Sequence, residues 1–147
     1  MRKIFLIVFG VVLTLVVIQL MSFLISNDLN VQGGRPFMYV LNLLLMVNTV
    51  LILYVITVFS LGKNVDPRLI ETIKQIGGLA AAWGTWSTIL GLFYAFDAIE
   101  GSKEIIPFPV IAGGLKVAVI TVLYGLIIFC HALVAYIGLN LTRQAAG

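Results

Sequence analysis

The sequence predicts an all-α membrane protein in which four transmembrane helices form two hairpins. Of its 147 residues, 61% are hydrophobic and 10% are charged, which is far more apolar than a soluble domain. Four stretches contain no charged residue, 4–27, 36–62, 75–96 and 117–142, and each exceeds the roughly 20 residues that cross a bilayer. Helices placed on these stretches give spans at about 4–25, 37–60, 70–98 and 108–140.

The basic residues indicate which way these helices cross the membrane. With the N-terminus in the cytoplasm, Arg35 and Lys103 face outward. The other basic residues outside the spans face the cytoplasm: Arg2, Lys3, Lys63, Arg68, Lys74 and Arg143. This bias follows the positive-inside rule, so both termini are predicted to be cytoplasmic. The net charge of +3 comes from residues that form no patch, and nucleic-acid binding is not expected.

The first two helices are predicted to form an outer, lipid-facing hairpin, residues 1–62. The first helix follows two basic residues as a signal peptide would, but its apolar run is longer. The segment "LMSFLISNDL" also lacks a small-residue cleavage pattern, so we expect the helix to be retained. Gly34 and Pro36 are typical of a turn before the second helix. Three polar residues of that helix are expected to bond neighbouring helices: Asn42, Asn48 and Thr49.

The last two helices, within residues 63–147, are predicted to form an inner hairpin. Asp66 can cap the third helix, and Pro67 suits its first turn. Each helix carries small residues along one face at the helical spacing. They are Gly77, Ala80, Gly84, Thr88, Gly91, Ala95 and Ala98, then Gly114, Ala118, Thr121, Gly125 and Ala132. Such faces predict close backbone packing, because lipid gives helices no hydrophobic reason to associate. Since one hairpin cannot satisfy both faces, we expect neighbouring copies to pack there.

Thr88 and Thr121 place one hydroxyl in each small-residue face, at similar depths in the membrane. On the helical wheel alone, we expect each hydroxyl to bond the carbonyl four residues earlier, as membrane threonines commonly do. The alternative is a polar site shared by the two helices. No aspartate or glutamate lies deep inside a span, where an isolated carboxylate would be costly and usually functional. The chain therefore cannot carry protons alone by carboxylate chemistry.

The segment "GTWSTILGLFYAF" resembles the second-to-last helix of the MotA/TolQ/ExbB proton-channel proteins, whose pattern is roughly G-x-x-G-T-x-x-G-x-x-x-A-F. The segment "GLKVAVITVLYGLIIFCHALVAY" is similar to the last helix of that family. The resemblance covers about residues 75–140. The matching residues are Gly84, Thr88, Gly91, Ala95 and Phe96, then Gly114, Ala118, Thr121, Gly125, Leu126, Ala132, Ala135 and Tyr136.

This resemblance implies a subunit of the bacterial inner membrane that forms a homo-oligomer, a pentamer, around a dimer of a single-span partner. The partner, similar to ExbD, TolR or MotB, would supply the intramembrane aspartate that carries the proton. The complex would convert proton flow into motion of that partner. Thr88 and Thr121 would line the ion pathway. The packing or pore face would comprise Gly84, Gly91, Gly114 and Gly125.

The chain also departs from the family pattern. Ser87 stands where the family has glycine, Val117 opposite its glutamate, Val122 opposite its second threonine, and His131 opposite its proline. The long cytoplasmic insertion with which flagellar stators engage the rotor is missing, which argues against flagellar torque. The resemblance therefore favours an energiser of another envelope process.

Lys116 and His131 are ionisable residues within the last span. Either could regulate ion passage, Lys116 by its charge and His131 because histidine titrates near neutrality. Their positions off the small-residue face favour simpler interpretations. Lys116 would then extend to the lipid headgroups, and His131 would be packed or hydrogen-bonded inside the bundle.

Other classes of function are less consistent with the sequence. No metal-ligand spacing, nucleophile motif or phosphate loop occurs, so neither an enzyme nor a cofactor is expected. A structural scaffold, whose small-residue faces only pack helices, remains an alternative. A small-substrate transporter is weakened by the lack of broken helices and buried charges. Sodium could replace the proton, because hydroxyls and carbonyls also coordinate it.

Overall fold

The computed structural model describes residues 2–26, 34–63, 65–101 and 107–144. This part of the chain forms four α-helices and contains no strand. They are α1 (Arg2–Ser26), α2 (Arg35–Ser60), α3 (Pro67–Glu100) and α4 (Phe108–Gln144). The predicted all-helical fold is confirmed, and each helix begins and ends within a few residues of its predicted bounds.

Three of the four helices are long and apolar enough to cross a membrane: α2, α3 and α4. In α1 the described apolar stretch, Ile7–Ser22, is shorter. A fourth span at α1 therefore stays a prediction. The candidate spans are the expected product of this composition, because a helix satisfies all its backbone hydrogen bonds internally and can cross lipid.

The connection between α2 and α3 stops one helix and starts the next with local hydrogen bonds. At the end of α2, Gly62 has a φ of 74°, and the amide of Lys63 bonds the Val58 carbonyl at 3.2 Å. This is a Schellman end, for which glycine suits the left-handed position. At the start of α3, an Asp66 carboxylate oxygen accepts from the Arg68 amide at 2.9 Å, and Pro67 occupies the first turn. The predicted cap is confirmed.

Two apolar clusters stack along the bundle, and α2 contributes to both. We call the end with the α2–α3 connection the connector end, and the end with the α3–α4 connection the distal end. The cluster nearer the connector end is formed by Leu13, Ile52, Val55, Ile56, Phe59, Val65, Ile70, Ile73, Ala132, Ala135 and Leu139. The other is formed by Met38, Leu41, Leu45, Ala80, Tyr124 and Ile128. The core thus lies where α2 packs against α3 and α4.

The helices α3 and α4 extend beyond the other two at the distal end. The Trp83 indole donates to the Phe37 carbonyl at 3.4 Å, which places Trp83 level with the first turn of α2. From there α3 continues to Glu100, about 25 Å at 1.5 Å per residue. We call residues 84–100 of α3 and 108–120 of α4 the distal arm. At its inner end Ile120 still packs against the cluster around Tyr124, whereas a pocket further out is lined by residues of α3 and α4 alone.

The polar residues of α2 differ in their bonding partners. Asn42 accepts a hydrogen bond from the Tyr124 hydroxyl of α4 at 2.7 Å, so the predicted interhelical bond is confirmed. For Thr49 the prediction is wrong, because its hydroxyl donates to the Leu45 carbonyl of its own helix at 2.8 Å. The Asn48 side chain is fully buried, and its amide has no hydrogen-bond partner among the described residues.

Candidate ion-pathway site between α3 and α4

The backbones of α3 and α4 touch where their small-residue faces meet. A Cβ atom on Gly84 would lie 2.6 Å from the Thr121 carbonyl oxygen, and one on Gly125 would lie 2.5 Å from the Ala80 carbonyl oxygen. Nearer the connector end, a Cβ atom on Gly77 would collide with the methyl group of Ala132. Real Cβ atoms do not approach so closely, so these positions exclude any side chain. The contact therefore depends on glycine at each of them.

These contacts correct the expectation that one hairpin cannot satisfy both small-residue faces. Within a single chain, the two faces satisfy each other at Gly77, Gly84 and Gly125. The contact loosens towards the distal end, where a Cβ on Gly91 would lie an ordinary 3.7 Å from that of Ala118. At Gly114 a Cβ would meet nothing within 4 Å. A wheel identifies a face of a helix but not the neighbour that covers it, which explains the error.

Thr88 and Thr121 meet about one turn beyond the contacts of Gly84 and Gly125, towards the distal end. Their hydroxyl oxygens are 3.0 Å apart, although the residues belong to different helices. The Thr88 hydroxyl donates to the Ala118 carbonyl of α4 at 2.8 Å, and the Thr121 hydroxyl reaches the same oxygen at 3.2 Å. The expected bonds to carbonyls four residues earlier are therefore wrong for both. The structure instead brings the two hydroxyls together at one carbonyl.

Comparison with the chain's other threonines shows how unusual this pair is. Every other threonine bonds the carbonyl four residues earlier in its own helix: Thr14, Thr49, Thr57, Thr72, Thr85 and Thr142. That bond is always within reach of a helical threonine. Only Thr88 and Thr121 leave it, and only they face a helix backbone brought close by glycine. Close packing is thus the physical cause of the shared site.

The pair has spare hydrogen-bonding capacity. Two hydroxyl protons are available, and the Ala118 carbonyl can be satisfied by either one. Each hydroxyl also has two acceptor lone pairs. One hydroxyl can therefore turn towards a third group while the other keeps the carbonyl occupied. Thr88 is half-buried whereas Thr121 is buried, so Thr88 is the residue that an outside group can reach.

No carboxylate of the described residues lies at the level of this pair. The nearest along α3 is Asp97, nine residues from Thr88 and so about 13 Å further along the helix axis. The hydroxyls and the carbonyl could coordinate a cation or hold a water, but they cannot carry a proton as a carboxylate does. None of the carboxylates in the described ranges can therefore act directly at this pair.

The two ionisable residues singled out in α4 lie apart from the threonine pair. Lys116 is exposed, and its side chain is free to extend away from the bundle. His131 is buried, and its Nε2 atom has no hydrogen-bond partner among the described residues. It is ten residues from Thr121, about 15 Å along the helix.

The sequence did not predict that the Ala118 carbonyl would accept hydrogen bonds from the threonine pair. The available signal was its position, because Ala118 lies in the small-residue face three residues before Thr121.

Comparison with known protein families identifies the stretch that carries this site. Residues 64–145 match the MotA/TolQ/ExbB proton channel family, and the match includes all of α3 and α4. The chain belongs to this family. As a MotA/TolQ/ExbB protein with helices able to span a membrane, it is a multi-pass membrane protein with a general proton-channel role. Comparisons with curated proteins and with solved structures gave no significant match.

Proposed function

We propose that this chain is the inner-membrane proton-channel subunit of a motor or energiser driven by an ion gradient. Copies of the chain, five in number, surround a single-span partner of the ExbD, TolR or MotB kind that carries an intramembrane aspartate. Residues 63–147 face the partner, and residues 1–62 form the outer, lipid-facing hairpin. Both termini are cytoplasmic. The family match over residues 64–145 supports this proposal.

The observation that carries the proposal is the pairing of Thr88 and Thr121 at the Ala118 carbonyl. When the partner's aspartate is protonated, the Thr88 oxygen accepts its hydrogen bond. When the proton leaves, the Thr88 hydroxyl turns and donates to the carboxylate, while Thr121 keeps the Ala118 carbonyl satisfied. The proton passes from the carboxyl to water, and no covalent bond to the chain forms. This arrangement lowers the cost of a charged carboxylate in a dry interface.

The distal arm supports an assembly of several copies. Large apolar side chains there remain 59–63% exposed in the single chain, among them Trp86, Ile89 and Phe93. In α1 and α2 exposed apolar residues suit lipid, but the arm also carries Thr88, which is only half-buried in the single chain. Packing of neighbouring copies along the arm would enclose the Thr88 side chain. In a closed ring, every copy buries the same surface against its neighbours.

The proposal is tested by exchanging Thr88 in the complex reconstituted with its partner in vesicles, with proton flux followed by an internal pH-sensitive dye. Thr88→Val keeps the shape and removes the hydroxyl, and Thr88→Ser keeps the hydroxyl. A hydrogen bond to a charged group contributes about 1.5–3 kcal/mol, so we expect valine to lower the flux about 10- to 100-fold. Serine should retain most of it.

Thr85→Val is the matched control, because Thr85 lies one turn away, is exposed, and bonds only the Ala81 carbonyl of its own helix. It should conduct like the unmodified chain. Assembly of each variant is checked by native mass spectrometry. Unchanged flux in an assembled Thr88→Val variant would contradict the proposal and favour a structural scaffold. Repeating the measurement without sodium separates proton from sodium coupling.

A further inference from the structure

A polar pocket opens at the connector end, between the start of α3 and the end of α4. Its volume is about 240 Å³, less than the 300 Å³ or more of typical drug-sized sites. The polar lining comes from Arg68 and Glu71 of α3 and from Tyr136, Asn140 and Arg143 of α4. We propose that this pocket binds an anionic phosphate group, supplied by the headgroup of an anionic membrane lipid. The proposal is independent of the function proposed above.

The charges of the pocket favour an anion. Glu71 is its one carboxylate, and Lys74 lies 3.6 Å from that carboxylate. The Lys74 ammonium also lies 5.3 Å from the centre of the Tyr136 ring, within the range of a cation–π contact. The acidic charge is therefore already balanced. Arg68 and Arg143 remain, and neither guanidinium has an ion-pair or hydrogen-bond partner among the described residues.

The two arginines match the chemistry of a phosphate. A guanidinium presents planar, paired donors that bond two phosphate oxygens at once. Arg68 belongs to α3 and Arg143 to α4, so one phosphate between them would link the two helices. Asn140 and the Tyr136 hydroxyl add polar groups to the same wall. Two positive charges around one anion also avoid the repulsion that they would otherwise exert on each other.

The position of the pocket favours a lipid as the source of the phosphate. It lies at the ends of two helices able to span a membrane, where headgroups are found. Ile137 and Leu141, which follow the pocket residues Tyr136 and Asn140 along α4, are exposed at 54% and 61% and offer a surface along which acyl chains can lie. Basic pockets between membrane helices are established binding sites for acidic headgroups. A soluble phosphate would gain the arginine contacts but not the apolar ones.

The test measures thermal unfolding of the purified full chain in neutral detergent. Phosphatidylglycerol, phosphatidylcholine or inorganic phosphate is added in separate arms. We expect phosphatidylglycerol alone to raise the unfolding temperature in a saturable manner. Arg68→Gln or Arg143→Gln should each weaken its apparent affinity about tenfold, since each removes a hydrogen bond to a charged group. Both arginines are exposed, so both variants should unfold like the unmodified chain without lipid.

Lys63→Gln is the matched control. Lys63 is an exposed cation at the same end that does not line the pocket, so its variant should keep full affinity. If inorganic phosphate stabilises the chain as strongly as phosphatidylglycerol, the lipid source is wrong. If the two arginine variants bind phosphatidylglycerol as the Lys63 variant does, the pocket itself is wrong. Stabilisation by phosphatidylcholine as strong as that by phosphatidylglycerol would likewise overturn the proposal.

Discussion

At the scale of single residues, the threonines show how packing selects a hydrogen-bond partner. Their side chains are identical, yet Thr85 bonds its own helix and Thr88, three residues later, bonds the next one. The sequence singled out Thr88 and Thr121 from their faces and spacing. It could not predict their bonds, because those depend on a helix separation set by glycines a turn away. A bond to the carbonyl four residues earlier is the right expectation only for a threonine that faces no closely packed helix.

Thr121 is expected to assist Thr88 rather than to replace it. In Thr121→Val, only Thr88 can donate a side-chain hydrogen bond to the Ala118 carbonyl. When the Thr88 hydroxyl turns away, that carbonyl then has no side-chain donor. Loss of one neutral hydrogen bond costs about 0.5–1.5 kcal/mol, which predicts a proton flux about 2- to 12-fold lower. The effect should be smaller than that of Thr88→Val. The double variant should be no worse than Thr88→Val alone, because the two hydroxyls act at one site. A lower proton flux in Thr121→Val than in Thr88→Val would contradict these roles.

The hydroxyl of Tyr124 is expected to stabilise the contact between α2 and α4. It donates to the Asn42 side chain at 2.7 Å inside the bundle. Interhelical bonds of this kind contribute about 0.6 kcal/mol on average and up to about 1.7 in membrane proteins. Tyr124→Phe should lower the free energy of unfolding by a similar amount in mixed micelles. A double-mutant cycle with Asn42→Leu isolates the pair, and a coupling energy of zero would show that the bond contributes nothing.

At the scale of the helices, Gly84 and Gly125 determine how closely α3 and α4 pack. A methyl group at either position would press on a backbone carbonyl, at 2.6 or 2.5 Å. Because a carbonyl on a helix cannot rotate away, the helices must separate. Overpacking costs about 1–3 kcal/mol, so Gly84→Ala and Gly125→Ala should each lower the unfolding temperature of the chain.

Gly78 and Gly113 provide matched controls for that prediction. They lie on the same two helices, and a Cβ at either would meet nothing within 4 Å. Alanine there should be neutral or should stabilise by about 0.5–1 kcal/mol, because it favours the helix over the unfolded chain. If all four alanine variants unfolded at the same temperature, the close contact would not be a source of stability.

The sequence predicted the helices better than their arrangement. Each uncharged run coincides with a helix. Asp66 and Pro67 mark the start of α3, because caps depend only on neighbouring residues. The stagger of the helices could not be predicted in this way. Nothing within α2 or α3 indicates that Trp83 meets Phe37, since that register depends on both surfaces at once. The distal arm results from this register and could not be predicted from the sequence either.

At the scale of the whole molecule, the distal arm is expected to be the contact between copies. Native mass spectrometry of the full chain in mild detergent should detect a homo-oligomer. In a Cys130→Ser background, single cysteines at Ile89 and Phe93, both exposed in the arm, should be joined between chains by a short thiol cross-linker. Cysteines at the exposed α2 positions Leu43 and Val50 should not. A monomer, or equal linking at all four positions, would contradict this assembly.

The backbone contact of α3 and α4 also has a mechanical consequence. Gly84 receives the Thr121 carbonyl, and Gly125 receives the Ala80 carbonyl, one turn further along. Each helix therefore places a backbone carbonyl against a glycine of the other helix. This contact resists sliding and rolling of the two helices, because either motion presses a side chain against a peptide group. The two helices α3 and α4 are therefore expected to resist displacement relative to each other. If ions pass at Thr88, as proposed above, a displacement there would move α3 and α4 together rather than past each other.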